Sequence, residues 1–443
     1  MTPLPAQPPF TLRARLLSPL AEGWLDELDG VLEVDADGRI TRAGAWPSGA
    51  EAPASVLDIR PHVLMPGMVD LHAHLPQIPN AGLGSGLDLL TWLDRYIFPL
   101  ERAYDRSVAE HQAPLAFRAF AAAGTTTVVA YAALWEDSTD AAFAAAEAHG
   151  IRAVIGKVMM DRLSYDTDID PGEILETSLR QSDELASRWH GADAGRLSYA
   201  FTPRFGVSCS AEMLRESATL AALHGAYWQT HLSEDKGEIG EVARLFPEAR
   251  DYLDVYDRAG ALGARTILAH AIHLSPREVA RLVESDSRVA HCPASNLFLS
   301  SGMMPLGAYR TEGMKVGLGS DVAGGPEISI FSVMRAGAVT QRVLELTGRA
   351  DTAAALRPLD WIRLGTLDGA RALGLEETIG SLEPGREADV IAIDPRVTSP
   401  LPNDDPPAAA ADLTSRLVFR PHPDMVRGAW VRGRLLAGPP GIG

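Results

Sequence analysis

Cysteine is nearly missing from this chain: Cys209 and Cys292 are the only two in 443 residues. Two thiols rule out a disulfide framework and any Cys-rich metal site, and they fit a reducing, cytoplasmic setting. Positive charge is also in short supply. Lys and Arg number 40 against 58 Asp and Glu, a formal net charge of -18. Such a surface repels phosphate backbones and offers anionic lipid no basic patch, so neither nucleic acid nor a membrane is expected as a partner. No apolar run is long enough to span a bilayer. Residues 1–15 lack the basic-then-apolar order of an export signal. The motifs His-Glu-x-x-His, Gly-x-Ser-x-Gly and His-x-Glu…Pro-Cys-x-x-Cys are absent as well. What is present is ordinary for a globular enzyme: 46% hydrophobic and 22% charged residues.

The length suggests one large unit with a smaller one attached. Both ends read as β. Val31-Leu32-Glu33-Val34 and Arg39-Ile40-Thr41 flank Asp35-Ala36-Asp37-Gly38, which suits a hairpin turn. Near the other end, apolar runs cover 388–393, 426–431 and 434–436, and 400–407 is a Pro- and Asp-rich loop. Between the ends, strand-like runs at 63–72, 126–131, 153–159, 197–202, 226–231, 266–270, 288–292 and 315–319 alternate with helical stretches. That rhythm predicts an α/β fold, a (β/α)8 barrel with parallel strands. The expected division is 1–64 and 379–443 for a small β domain and 65–378 for the barrel. A capping box, Ser275-Pro276-Arg277-Glu278, marks one helix start.

In such a barrel the chemistry sits at the C-terminal ends of the strands. His72 and His74 close the first run, Arg204 follows the fourth, His231 closes the fifth, His270 the sixth, and Asp321 follows the eighth. Residues i and i+2 of a strand share a face, so His72 and His74 reach one ion from one side. With His231 and Asp321 they make a nitrogen-rich set that suits Zn²⁺, with Fe²⁺ as the alternative. Asp321 is also placed to take a proton from water. Glu234, three residues past His231, is the proton shuttle, and His270 the hydrogen-bond donor to a developing oxyanion. An isolated His at a strand end is more often a packed residue. The metal reading rests on the four positions together. His273 and His291 fit no ligand spacing and are read as structural, and Lys157 as a packed or ion-paired lysine. Gly82-Leu83-Gly84-Ser85-Gly86 is read as a loop rather than a phosphate cradle.

Several blocks carry a family likeness: Pro66-Gly67-Met68-Val69-Asp70-Leu71-His72-Ala73-His74-Leu75-Pro76-Gln77, Gly156-Lys157-Val158-Met159-Met160-Asp161, Thr202-Pro203-Arg204-Phe205, His231-Leu232-Ser233-Glu234, and Gly319-Ser320-Asp321. Through them the chain resembles the amidohydrolase superfamily and, within it, the guanine deaminase family. That resemblance implies hydrolysis of guanine to xanthine and ammonia and one zinc per subunit. It also implies a β-sandwich built from both termini, and a homodimer. It gives Gln77 and Arg204 the purine edge as hydrogen-bond donors, and Phe205 the ring face. Ile78 departs from the family, where an aromatic residue is common, and this bears on substrate fit. The stretch 75–104, with Trp92 and Phe98, is expected to act as a lid. Three other readings stand beside this one. The first is a deaminase of another ring, such as an oxidised guanine, a pterin or an s-triazine. The second is a silent binding homologue, disfavoured because every proton-transfer position is present. The third, two-metal cyclic-amide hydrolysis, would need a carbamylated lysine where Arg204 stands.

Overall fold

The two ends of the chain meet in one sheet. The computed structural model describes residues 3–49, 51–349, 356–401 and 405–438. The first four strands are β1 (Phe10–Pro19), β2 (Trp24–Val34), β3 (Ile40–Ala45) and β4 (Val56–Pro66). The last three are β14 (Val390–Ile393), β15 (Val426–Val431) and β16 (Arg434–Leu435). Together they form a seven-stranded sheet in the order β16-β15-β14-β4-β1-β2-β3. It is antiparallel except where β1 runs parallel to β4. The Asp35–Gly38 turn joins β2 to β3, and Gly38, with φ +75, takes the left-handed position. A buried cluster that includes Leu12, Leu16, Leu32, Leu64, Val390 and Trp430 holds this sheet. Of the loop read at 400–407, residues 402–404 lie outside the described residues.

The remaining strands make the barrel: β5 (Met68–His74), β6 (Thr125–Tyr131), β7 (Arg152–Gly156), β9 (Leu197–Pro203), β10 (Tyr227–Leu232), β11 (Thr266–His270), β12 (Arg288–His291) and β13 (Lys315–Leu318). They pair side by side in that order, all parallel. The two-residue β8 (Val158–Met159) pairs with β9. Backbone bonds from Asp321 to the His72 carbonyl (2.7 Å) and from His74 to the Val322 carbonyl (3.0 Å) draw the two edge strands together into a nearly closed TIM-like barrel. Among the described residues no helix is long and apolar enough to cross a membrane.

Two strand expectations need correcting. The run 63–72 is not one strand. It breaks at Gly67, so that β4 stays in the terminal sheet and β5 starts the barrel. The run 153–159 likewise divides at Lys157 into β7 and β8. Continuous hydrophobicity marks burial on both sides of such a break and is blind to the break itself.

Candidate active site

Each candidate ligand sits where a strand ends. His72 and His74 close β5, His231 lies in β10, and Asp321 follows β13. Their ligand atoms all lie within 4.8 Å of one another. His72 Nε2 is 3.2 Å from His74 Nε2, and each of these nitrogens is 3.2 Å from Asp321 Oδ1. His231 Nδ1 is 2.6 Å from the Arg204 carbonyl oxygen. A carbonyl only accepts, so Nδ1 carries the proton and Nε2 is left with its lone pair. Burial lowers the imidazoles: His72 to about 4, His74 below its ordinary value, and His231 well below. Burial alone would raise Asp321, but bonds from His72 and His74 hold it well below the usual carboxylate range. Three neutral imidazoles and one carboxylate, all buried and convergent, are the deprotonated donor set one zinc ion requires.

The backbone at these positions is unusual. Ser233 (φ 48), His270 (φ 69), Ala271 (φ 50) and Asp321 (φ 49) are all left-handed without being glycine. Each such residue costs on the order of 1–3 kcal/mol and persists only where its surroundings over-determine it. Here the bonds Asp321 N–H to His72 O and Ala271 N–H to Leu232 O (2.9 Å) do so.

Beside the ligand cluster stand Glu234 and His270. Glu234 Oε2 is 3.3 Å from His270 Nε2. Burial and the nearby Asp321 charge push Glu234 up to about 7 against the pull of His270. One segment, Pro293–Phe298 and the residues just after it, steadies all three groups. Ser295 donates to Asp321 Oδ2 at 2.6 Å, Asn296 Oδ1 is 2.9 Å from His270 Nδ1, and Ser301 donates to Glu234 Oε1 at 3.0 Å. Asp70 accepts from the backbone N–H groups of Ser320 (2.9 Å) and His72 (3.2 Å) and so ties the two barrel edges. The Tyr131 ring packs 4.9 Å from His72 and 4.5 Å from His74.

The cavity over this cluster is lined by Gln77, Arg204, Phe205, His74, His231, Glu234 and Asp321, with Leu89, Trp92, Leu93 and Leu299 as apolar wall. The stretch 75–104 lines one side of the site. Its short helices Leu75–Asn80, Leu89–Trp92 and Phe98–Arg102 bring Gln77, Leu89 and Trp92 to the cavity. The Gly82–Gly86 loop packs on Trp92: Trp92 Nε1 donates to the Leu83 carbonyl at 3.1 Å, and Gly84, at φ +85, lies against the indole.

The Gln77 amide nitrogen, expected as a donor to the base, donates one of its two N–H groups to Glu101 Oε1 at 2.7 Å. Arg204 Nη1 donates to the other Glu101 oxygen. Sequence reasoning missed Glu101, which is fully buried. Its signal was faint: an acid two residues after Phe98-Pro99 in a stretch otherwise read as a lid. Ser295 and Asn296 lay in plain view after His291-Cys292-Pro293, but neither residue type announces a partner. His273 and His291 stay out of the cluster, His273 Nε2 meeting the Ser301 carbonyl instead. Lys157 Nζ is buried and bonds to Ser178 Oγ at 2.9 Å, packed rather than ligating.

Comparison with known proteins gives a consistent picture. The model of the amidohydrolase family matches residues 63–436. The guanine deaminase of Escherichia coli (strain K12) is 37% identical over 375 residues, covering 84% of this chain and 82% of that one. The E. coli guanine deaminase structure superposes with a TM-score of 0.86 at 32% identity, over 96% of this chain and 99% of that one. The C. acetobutylicum guanine deaminase with guanine bound in its active site gives 0.86 at 29% identity, over 96% and 99%.

Proposed function

The chain belongs to the amidohydrolase family, and on that premise we propose that it hydrolyses guanine to xanthine and ammonia at a single zinc ion. The observation that carries the reading is the convergence of His72, His74, His231 and Asp321 beneath a cavity walled by Gln77, Arg204 and Phe205. His72, His74, His231 and Asp321 would hold the zinc. When bound, it supplies the Lewis acidity that makes water a nucleophile at about neutral pH.

The protein's own groups carry the protons. Glu234, raised to about 7 and so available in both forms near neutrality, gives a proton to the ring nitrogen beside the amine-bearing carbon. Glu234 then receives the proton that Asp321 took from water, delivers it to the departing ammonia, and is restored by the proton of the added hydroxyl as the carbonyl forms. His270, kept in place by Asn296, donates to the oxygen that adds to the ring. Asp321 takes the proton that water gives up. Arg204 and Gln77 orient the base, and Phe205 offers its aromatic face. Leu89, Trp92 and Leu299 keep bulk water out.

A cytoplasmic homodimer belongs to the same reading. The two free, buried cysteines support a reducing compartment. Val339, Val343 and Leu346, exposed along the helix Ile330–Leu346, support self-association.

The test is release of xanthine and ammonia from guanine by zinc-loaded protein, with a chelated control and a panel of pterins and triazines. Turnover of another ring but not guanine would keep the chemistry and move the substrate; silence across the panel would overturn the reading. Within it, Glu234→Gln is expected to keep a full equivalent of zinc and lose roughly 10²–10⁴-fold in kcat. An active Gln variant would remove Glu234 from proton transfer.

A further inference from the structure

We propose that Glu101 sets the hydrogen-bond polarity of the substrate cavity, fixing Gln77 as an acceptor beside Arg204 as a donor. So arranged, the site reads a lactam edge, a ring carbonyl next to a ring N–H. The proposal rests on the deaminase reading for the identity of the ring.

A glutamine amide has two ends of nearly equal size, one donating and one accepting. Left alone it turns to suit either kind of ligand. Gln77 is not left alone. Glu101, paired with a guanidinium, is a carboxylate and accepts at both oxygens: Oε1 takes the Gln77 amide nitrogen at 2.7 Å, and Oε2 takes Arg204 Nη1. A flipped amide would set oxygen against oxygen. The Gln77 Oε1 atom is therefore turned away from Glu101, and it is buried without a hydrogen-bond partner. Gln77 lies on the cavity wall. A buried acceptor without a donor is a cost that a ligand N–H removes.

Arg204 is held by the same element. The helix Phe98–Arg102 supplies Glu101 and also Phe98, whose ring centre lies 5.4 Å from the guanidinium carbon. With Nη1 committed to Glu101, the guanidinium has further N–H groups for a ligand carbonyl. Guanine carries a carbonyl next to a ring N–H, and that N–H adjoins the carbon bearing the amine. Adenine carries the reverse, an amino group beside an unprotonated ring nitrogen. It would set donor against donor at Arg204 and lone pair against lone pair at Gln77.

The experiment compares kcat/KM for guanine with that for 2-aminopurine, which has the same amine but neither the carbonyl nor the adjoining N–H. Wild type, Glu101→Gln and Gln77→Met are each assayed with zinc content and Tm measured alongside. We expect Glu101→Gln to lower the guanine value on the order of 100-fold and the 2-aminopurine value far less, so that their ratio falls at least about tenfold. A merely structural role would lower both by one factor, and an unchanged ratio overturns the proposal. If Glu101→Gln does not fold, Gln77→Met decides, because it leaves the ion pair intact: a preserved ratio there also overturns it. Binding separates this proposal from the deaminase reading. If wild type fails to turn over guanine yet binds hypoxanthine at least about tenfold tighter than purine, and Glu101→Gln erases that preference, the substrate reading falls and the edge reading stands. Equal binding of hypoxanthine and purine overturns the edge reading.

Discussion

Ser295 places a hydroxyl 2.6 Å from the one carboxylate of the ligand set. Its loss should be felt at the metal. Ser295→Ala frees Asp321 Oδ2, and zinc affinity is expected to drop roughly 10–100-fold, read by competition with a chromogenic chelator. Unchanged affinity would mean that Asp321 is oriented without Ser295. The contrast between Ser295 and His72 explains what was legible at this scale. A His-x-His pair at a strand end declares its chemistry through residue type and spacing. Ser295, Asn296, Ser301 and Glu101 act through partners 26, 26, 67, and 24 and 103 positions away, respectively. No local pattern encodes those separations. Gln77 shows the same limit: its place after the His-x-His block was legible, but the bond from its amide nitrogen to Glu101, 24 positions away, was not.

The strands of the barrel were legible as elements because each is a short apolar run, and most of them carry a His, Arg or Asp at or just past the end. The capping box at Ser275 was legible too, and the structure shows both of its bonds at the helix Pro276–Glu284. The division between β4 and β5 was not, because a fully buried strand reads the same on either side of Gly67. What requires glycine there is a close approach: a Cβ at Gly67 would collide with the Thr126 side chain on β6. Gly67→Ala is therefore expected to destabilise the protein by about 1–3 kcal/mol, read as a lower urea midpoint with an unchanged slope. A neutral result would show that Thr126 rotates aside without cost.

The whole molecule is held together across its two sheets by a buried charge network. Arg152, on β7 of the barrel, donates to Glu387 Oε2 at 2.5 Å and to Asp389 Oδ2 at 3.0 Å, just before β14. Arg432, in the turn between β15 and β16, reaches the same Glu387 oxygen at 2.8 Å. Burial opposes ionisation of Glu387, but the two guanidinium groups hold its carboxyl below the usual range. A carboxyl lowered on folding stabilises above its unfolded value, about 4.3, and that contribution fades as pH falls through the folded one. Glu387→Gln should thus lower Tm at pH 7 and make the acid side of the Tm-against-pH curve shallower. A parallel downward shift at every pH would place the effect in packing instead. The seven-stranded sheet has a consequence for how the chain is made. β4 lies between β1 and β14, so a strand near the start finds its second neighbour only after the entire barrel has been synthesised. On the ribosome, at about 5–20 residues per second, the open side of β4 waits roughly tens of seconds for β14. For that interval the nascent protein presents a bare strand edge, the kind of template on which chains aggregate and which chaperones shield.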